Sequence, residues 1–108
     1  MTCFNFAPLF YLIYMDLGNT IKVYRIQKGL KQNELANMCN ITQAYLSKIE
    51  GNQKEPALSI LKTIASSLHV PLPVLFFMSL SSEDIDPKKR EAFKIIEPSI
   101  KGMIHNFF

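Results

Sequence analysis

Only three residues, Asn40, Ile41 and Thr42, separate two short helical stretches, Lys31 to Cys39 and Gln43 to Glu50. A connection that brief cannot fold two long helices back on each other as an antiparallel hairpin. It makes two short helices cross at a wide angle through a tight turn. The residues around it suit that geometry. Ala36 is small where the helices must approach closely, and Leu35 and Cys39 share its side. Asn40 occupies the turn, and Asn is one of the few residues besides glycine that tolerates the left-handed conformation. Ile41 plugs the core behind the turn, and Thr42 is a good N-cap for the helix that follows. Leu46 and Ile49 anchor that helix from its inner face.

The neighbouring stretches extend the helical pattern. Leu17, Ile21 and Tyr24 recur at spacings of four and three and stop at Gly29, a C-cap signal. Gly51-Asn52 ends the third helix. Pro56 opens a fourth helix at its first turn, with Leu61, Ile64, Ala65 and Leu68 as the inner stripe. His69-Val70-Pro71 breaks it, and a fifth helix covers Leu72 to Leu80. No stretch sustains a period of two, so the chain is all-α, with five helices between residues 17 and 80. At 108 residues, 48% of them hydrophobic and 19% charged, it has material for one core and the balance of a folded domain.

The two ends differ from this middle. Residues 1–16 form an apolar extension, in which Ala7 to Met15 reads APLFYLIYM. A secretory signal needs positive charge ahead of such a run, and the first fifteen residues contain no Lys or Arg. Two readings are left: a flap folded over the domain, or a natural start at Met15. Residues 81–108 make a helical tail. Asp86-Pro87 starts it as N-cap and first-turn proline, Pro98 breaks it, and Ile100, Met103, Ile104, Phe107 and Phe108 recur beyond at helical spacing. The fifth helix, LPVLFFMSL, is apolar nearly all round and needs covering on two sides. A second subunit, the flap or the tail could supply the second cover.

Several chemistries are excluded. Cys3 and Cys39 cannot make a disulfide framework, and with His69 and His105 at no metal-binding spacing neither a structural metal nor any cofactor is expected. There is no Ser-His-Asp set, no glycine-rich phosphate loop and no paired carboxylates on one helix face, so an enzyme is not expected. Cys39 faces inward and reads as a small hydrophobe. No run reaches the roughly eighteen apolar residues of a membrane span, and no membrane partner is expected.

Residues 17–76 resemble the helix-turn-helix domain of the lambdoid phage repressor and Cro family, also called the XRE family. The resemblance is carried by YRIQKGLKQNELA, the turn NI, TQAYLSKIEGN and the pattern PALSILKTIASSLHV. The chain departs from the family in three places. Asn40 replaces the usual turn glycine, His69 stands where a glycine commonly ends the fourth helix, and Pro71 and Pro73 replace polar residues at the fifth. The resemblance implies a lambda-repressor-like fold and sequence-specific binding of double-stranded DNA, with the helix 42–50 in the major groove.

It also assigns roles. Gln43, Ala44, Ser47 and Lys48 share the leading edge of the third helix and would meet base edges. Gln32 at the start of the second helix, with Tyr45 and the loop residues Asn52, Gln53 and Lys54, would grip phosphates. Arg25 and Glu50 would form a structural pair that sets the angle of the reading helix from behind. Charge agrees with an anionic partner: residues 17–80 carry seven basic against three acidic side chains, whereas residues 81–108 carry five of each. The expectation is a cytoplasmic transcriptional regulator, a repressor and a homodimer, with Phe76, Phe77 and Leu80 on the dimer or partner surface. The alternatives are the antitoxin of a toxin–antitoxin pair, its tail holding a protein partner, and an interaction adaptor on the same fold.

Overall fold

The computed structural model describes residues 16–108. The apolar run before Asp16, Cys3, and with them the choice between a flap and a start at Met15, lie outside the described residues. Six α-helices follow in order: α1 Leu17–Gln27, α2 Gln32–Met38, α3 Gln43–Glu50, α4 Leu58–Leu68, α5 Leu72–Ser79 and α6 Arg90–Phe107. Two short 3₁₀ turns, Ser82–Asp84 and Pro87–Lys89, link the last two. The fold is all-α, as the sequence implies.

Four of these helices end in the same way. After α1, Leu30 N–H donates to the Arg25 carbonyl and Gly29 N–H to that of Ile26. The same pair of bonds closes α2 at Ile41 and Asn40, α3 at Gln53 and Asn52, and α4 at Val70 and His69. This closure needs one residue in the left-handed region. Gly29 (φ 74°), Asn40, Asn52 and His69 (each φ 58°) supply it, so one glycine, two asparagines and a histidine do the same job.

One core unites α1 to α5. Ile21, Leu35, Leu46, Ile64, Leu68 and Leu75 are fully buried in it, and they come from every one of those helices. α5 packs against both α1 and α4. Two neighbours inside the same domain therefore supply much of the cover that its all-round apolar surface requires. Phe76 lies against the core, and Phe77 and Leu80 are half-buried.

Two expectations about proline need correction. α4 begins at Leu58 rather than at Pro56, because the Ala57 carbonyl is the first to accept a helical bond, from Leu61 N–H. Pro56 sits one position outside the N-cap, where an apolar residue can pack toward the fourth helical position, here Leu61; both are buried. Pro98 does not break the tail: α6 runs through it as one 18-residue helix. A proline inside a helix frees one carbonyl and crowds the preceding turn. Pro98 is exposed, so water can satisfy that carbonyl.

Candidate nucleic-acid interface

α2 and α3 pack against each other, and Leu35 and Ala36 of α2 and Leu46 and Ile49 of α3 are all buried. Ala36 is 1% exposed, and at this position a larger side chain would push the two helices apart. The turn between them is closed at Asn40, and Ile41 leans on the core from behind. Thr42 Oγ1 accepts a 3.0 Å bond from Tyr45 N–H, capping the first turn of α3. With Leu46 and Ile49 turned inward, Gln43, Ala44, Ser47 and Lys48 all lie exposed on the opposite side. The sequence places these four on one edge, and the structure brings them together there.

The inner side of α3 is tied down by polar contacts. Arg25 Nε donates to Glu50 Oε2 at 2.7 Å and Nη2 donates to Oε1 at 3.1 Å. The two side chains are 10% and 3% exposed, so this is a buried, two-point ion pair. Arg25 Nη1 also donates to the Leu30 carbonyl at 2.9 Å, which fixes the loop leading into α2. Gln32 Nε2 donates to Glu50 Oε1 at 3.1 Å, and Gln43 Nε2 donates to Gln32 Oε1 at 3.4 Å. A chain of hydrogen bonds thus runs from the buried pair to Gln43 at the leading end of α3. Sequence reasoning placed Gln32 on phosphate alone and missed its part in this chain.

A second tie joins α1 to the far end of α3. Gly18 N–H donates to Asn52 Oδ1 at 2.9 Å, and Asn52 Nδ2 donates to Asp16 Oδ1 at 2.6 Å. Gly18 is buried, and a Cβ there would collide with the Ile49 carbonyl oxygen and lie 2.7 Å from that of Glu50. The first turn of α1 therefore rests directly on the last turn of α3. The Asn52 side chain is committed to this tie, whereas its neighbours Gln53 and Lys54 extend into solvent. A glycine inside a helical stretch was the available clue, since such a residue usually marks a close backbone approach.

The remaining polar and titratable groups carry less. Glu34 Oε1 accepts from Lys31 N–H at 2.7 Å, closing the start of α2 with a carboxylate. Tyr45 is half-buried against the core beside the exposed edge of α3. Burial pushes the Cys39 thiol pKa up, opposed by a bond to Ser67 Oγ at 3.5 Å, so the group stays a neutral thiol near pH 7. Among the described residues, no three His, Cys, Asp or Glu side chains cluster so as to hold a metal ion. Nor is any single helix there long and apolar enough to cross a membrane.

Known proteins resemble this chain in sequence and in fold. A family profile described as helix-turn-helix matches residues 21–75. The chain is 39% identical over 61 residues to the HTH-type transcriptional regulator SlrR of Bacillus subtilis, covering 56% of this chain and 40% of SlrR. It is 28% identical over 97 residues to the immunity repressor protein of Bacillus phage phi105, covering 79% of this chain and 67% of the repressor. Among solved structures, the clp gene regulator ClgR of Corynebacterium glutamicum superimposes with a TM-score of 0.63 at 23% identity. That match covers 82% of this chain and 94% of that one, and is a likeness of fold.

Proposed function

The chain belongs to the helix-turn-helix family, and from that premise we propose that it is a sequence-specific DNA-binding transcriptional regulator acting as a repressor. The observation that carries this reading is the exposed edge of α3, Gln43, Ala44, Ser47 and Lys48, whose leading residue Gln43 is reached by hydrogen bonds that begin at a buried ion pair. An interface that reads bases must present its side chains in a fixed pose, and this chain of contacts orients Gln43. Gln43 suits adenine N6 and N7, Lys48 suits guanine O6 or N7, and the Ala44 methyl suits that of thymine. Lys54 and Gln53, beside α3, grip the phosphate backbone, with Tyr45 and Gln32 flanking. Asn52 contributes by holding that loop against α1. The role is binding rather than catalysis, and it is exercised in the cytoplasm.

Repression accords with the name of the phage relative, an immunity repressor protein. The functional unit is a homodimer, because two α3 helices on one face of B-DNA address half-sites about 34–36 Å apart. The half-exposed Phe77 and Leu80 belong to its protein-facing side.

The deciding experiment compares Gln43→Ala with Lys54→Ala, each titrated against the operator, found by footprinting the protein on its own upstream region, and against scrambled duplex at several salt concentrations. Gln43→Ala is expected to lose about 1–3 kcal/mol on the operator and little on scrambled DNA. Lys54→Ala is expected to weaken both and to reduce the salt slope by about one unit. Equal losses on both duplexes from Gln43→Ala would mean that α3 reads no sequence, and the adaptor alternative would replace this one.

A further inference from the structure

Asp16 stands at the N-cap of α1, yet its side chain caps nothing of its own helix. An aspartate in that position ordinarily accepts from the amide two or three residues on. Here the residue adopts the left-handed region, φ 51° and ψ 43°, and its carboxylate makes no bond to an α1 amide. The amide it would have served, that of Gly18, donates instead to Asn52 Oδ1, 34 positions along the chain. Asn52 Nδ2 then donates to Asp16 Oδ1 at 2.6 Å, a short bond assisted by the carboxylate charge. A cap that α1 could have made locally is thus made through the loop that follows α3.

Asn52 is the residue type that this exchange requires. Its backbone closes α3 at φ 58°, where glycine would meet less resistance. A glycine, however, has no side chain to reach α1. An aspartate would accept from Gly18 but would set a second carboxylate against Asp16. A carboxamide accepts from the amide and donates to the carboxylate at once. The loop is held from the other side as well, since Asn52 N–H and Gln53 N–H donate to the Ile49 and Lys48 carbonyls of α3. Backbone bonds therefore fix Asn52 and Gln53 on α3, and the side-chain tie fixes them on α1. The next residue is Lys54, fully in solvent.

We propose that Asp16 is a positioning residue for the phosphate grip, acting through Asn52 to hold the Gln53-Lys54 loop in place on the reading helix. The assignment rests on the regulator reading, in which that loop meets the DNA backbone. It runs against the sign of the charge. A carboxylate hydrogen-bonded to the loop repels phosphate, so electrostatics alone would favour its removal. The bond to Asn52 acts the other way, because a lysine on a fixed loop loses less freedom on meeting its phosphate than one on a loose loop. Substitution separates the two effects. Asp16→Asn keeps an oxygen for Asn52 and suits a left-handed backbone while losing the charge. Asp16→Gly suits the same backbone and loses both charge and oxygen.

The test is a titration of the full chain, as wild type, Asp16→Asn, Asp16→Gly and Asn52→Gly, against operator and scrambled duplex at several salt concentrations. Asp16→Gly and Asn52→Gly are expected to bind both duplexes about fivefold more weakly, with the salt slope lowered toward that of Lys54→Ala. Asp16→Asn is expected to bind both at least as tightly as the wild type. In a Lys54→Ala background, Asp16→Gly should add less than about a twofold loss, since two substitutions on one route are not additive. Tighter binding by Asp16→Gly would reduce Asp16 to a repelling charge and overturn the proposal. So would unchanged binding by Asn52→Gly, an Asp16→Asn variant as weak as Asp16→Gly, or losses that add to that of Lys54→Ala. A measurement without DNA separates the tie from the regulator reading. Backbone amide relaxation at Gln53 and Lys54 should show a looser loop in Asp16→Gly and wild-type order in Asp16→Asn. Equal order in all three would also overturn the proposal, whereas a looser loop in a chain whose wild type grips neither duplex would sink the regulator reading alone.

Discussion

His69 is the residue at which the chain departs furthest from ordinary backbone preference. It holds φ 58° at the end of α4 and is exposed; histidine enters the left-handed region more often than most side chains, but its Cβ still meets a steric cost there that glycine avoids. Relieving that strain should outweigh the added freedom of the unfolded chain, so His69→Gly is expected to stabilise the fold by about 1 kcal/mol. For a domain of this size that raises Tm by about 4–8 °C, readable in a thermal melt. Glu50 lies at the other extreme. Glu50→Ala leaves Arg25 buried with only the Leu30 carbonyl for company and removes the acceptor that positions Gln32. The expected cost is about 3–5 kcal/mol, together with lower operator affinity. An Arg25→Met/Glu50→Leu double variant should recover much of the stability but not the affinity, because an apolar pair packs without orienting Gln32. Recovery of both would remove the pair from any part in DNA reading.

Elements were legible in the sequence wherever a local signal marked their ends. Gly29, Asn40, Thr42, Asn52 and His69 each act on their own or the adjoining turn, and α1 to α4 end, and α3 begins, where those residues put them. Proline misled in two places because its effect depends on surroundings that a string does not show: a buried pocket at Pro56 and open solvent at Pro98. The exposed edge of α3 was likewise readable from helical periodicity. The bonds of Gln32 to Glu50 and of Asn52 to Gly18 were not, since they join residues 18 and 34 positions apart. The α1–α3 contact offers a test at this scale. Alanine favours a helix over glycine by about 1 kcal/mol, yet Gly18→Ala is expected to destabilise by about 1–3 kcal/mol through overlap with the α3 carbonyls. Urea denaturation decides between them, and a higher midpoint would show that α1 can withdraw from α3 without loss.

Across the whole molecule, the core of α1 to α5 behaves as one unit, with Cys39 as a convenient reporter. The thiol is buried and held neutral by its surroundings, so reagents that need a thiolate reach it only when the core opens. In a Cys3→Ser background, the labelling of Cys39 under native conditions is expected to track global stability, slowing with His69→Gly and speeding with Glu50→Ala. Rapid labelling independent of both variants would place a local opening between α2 and α4.

The four left-handed closures bear on how fast such a chain can find its fold. Each joins residues no more than five apart, so the loss of chain freedom on forming it is small, and it needs no distant partner. Helix boundaries can therefore be sampled in the denatured ensemble before any two helices meet. What is left for the slow step is the docking of segments whose ends are already marked but whose helices persist only once packed, and topologies dominated by near-neighbour contacts accomplish that in microseconds to milliseconds.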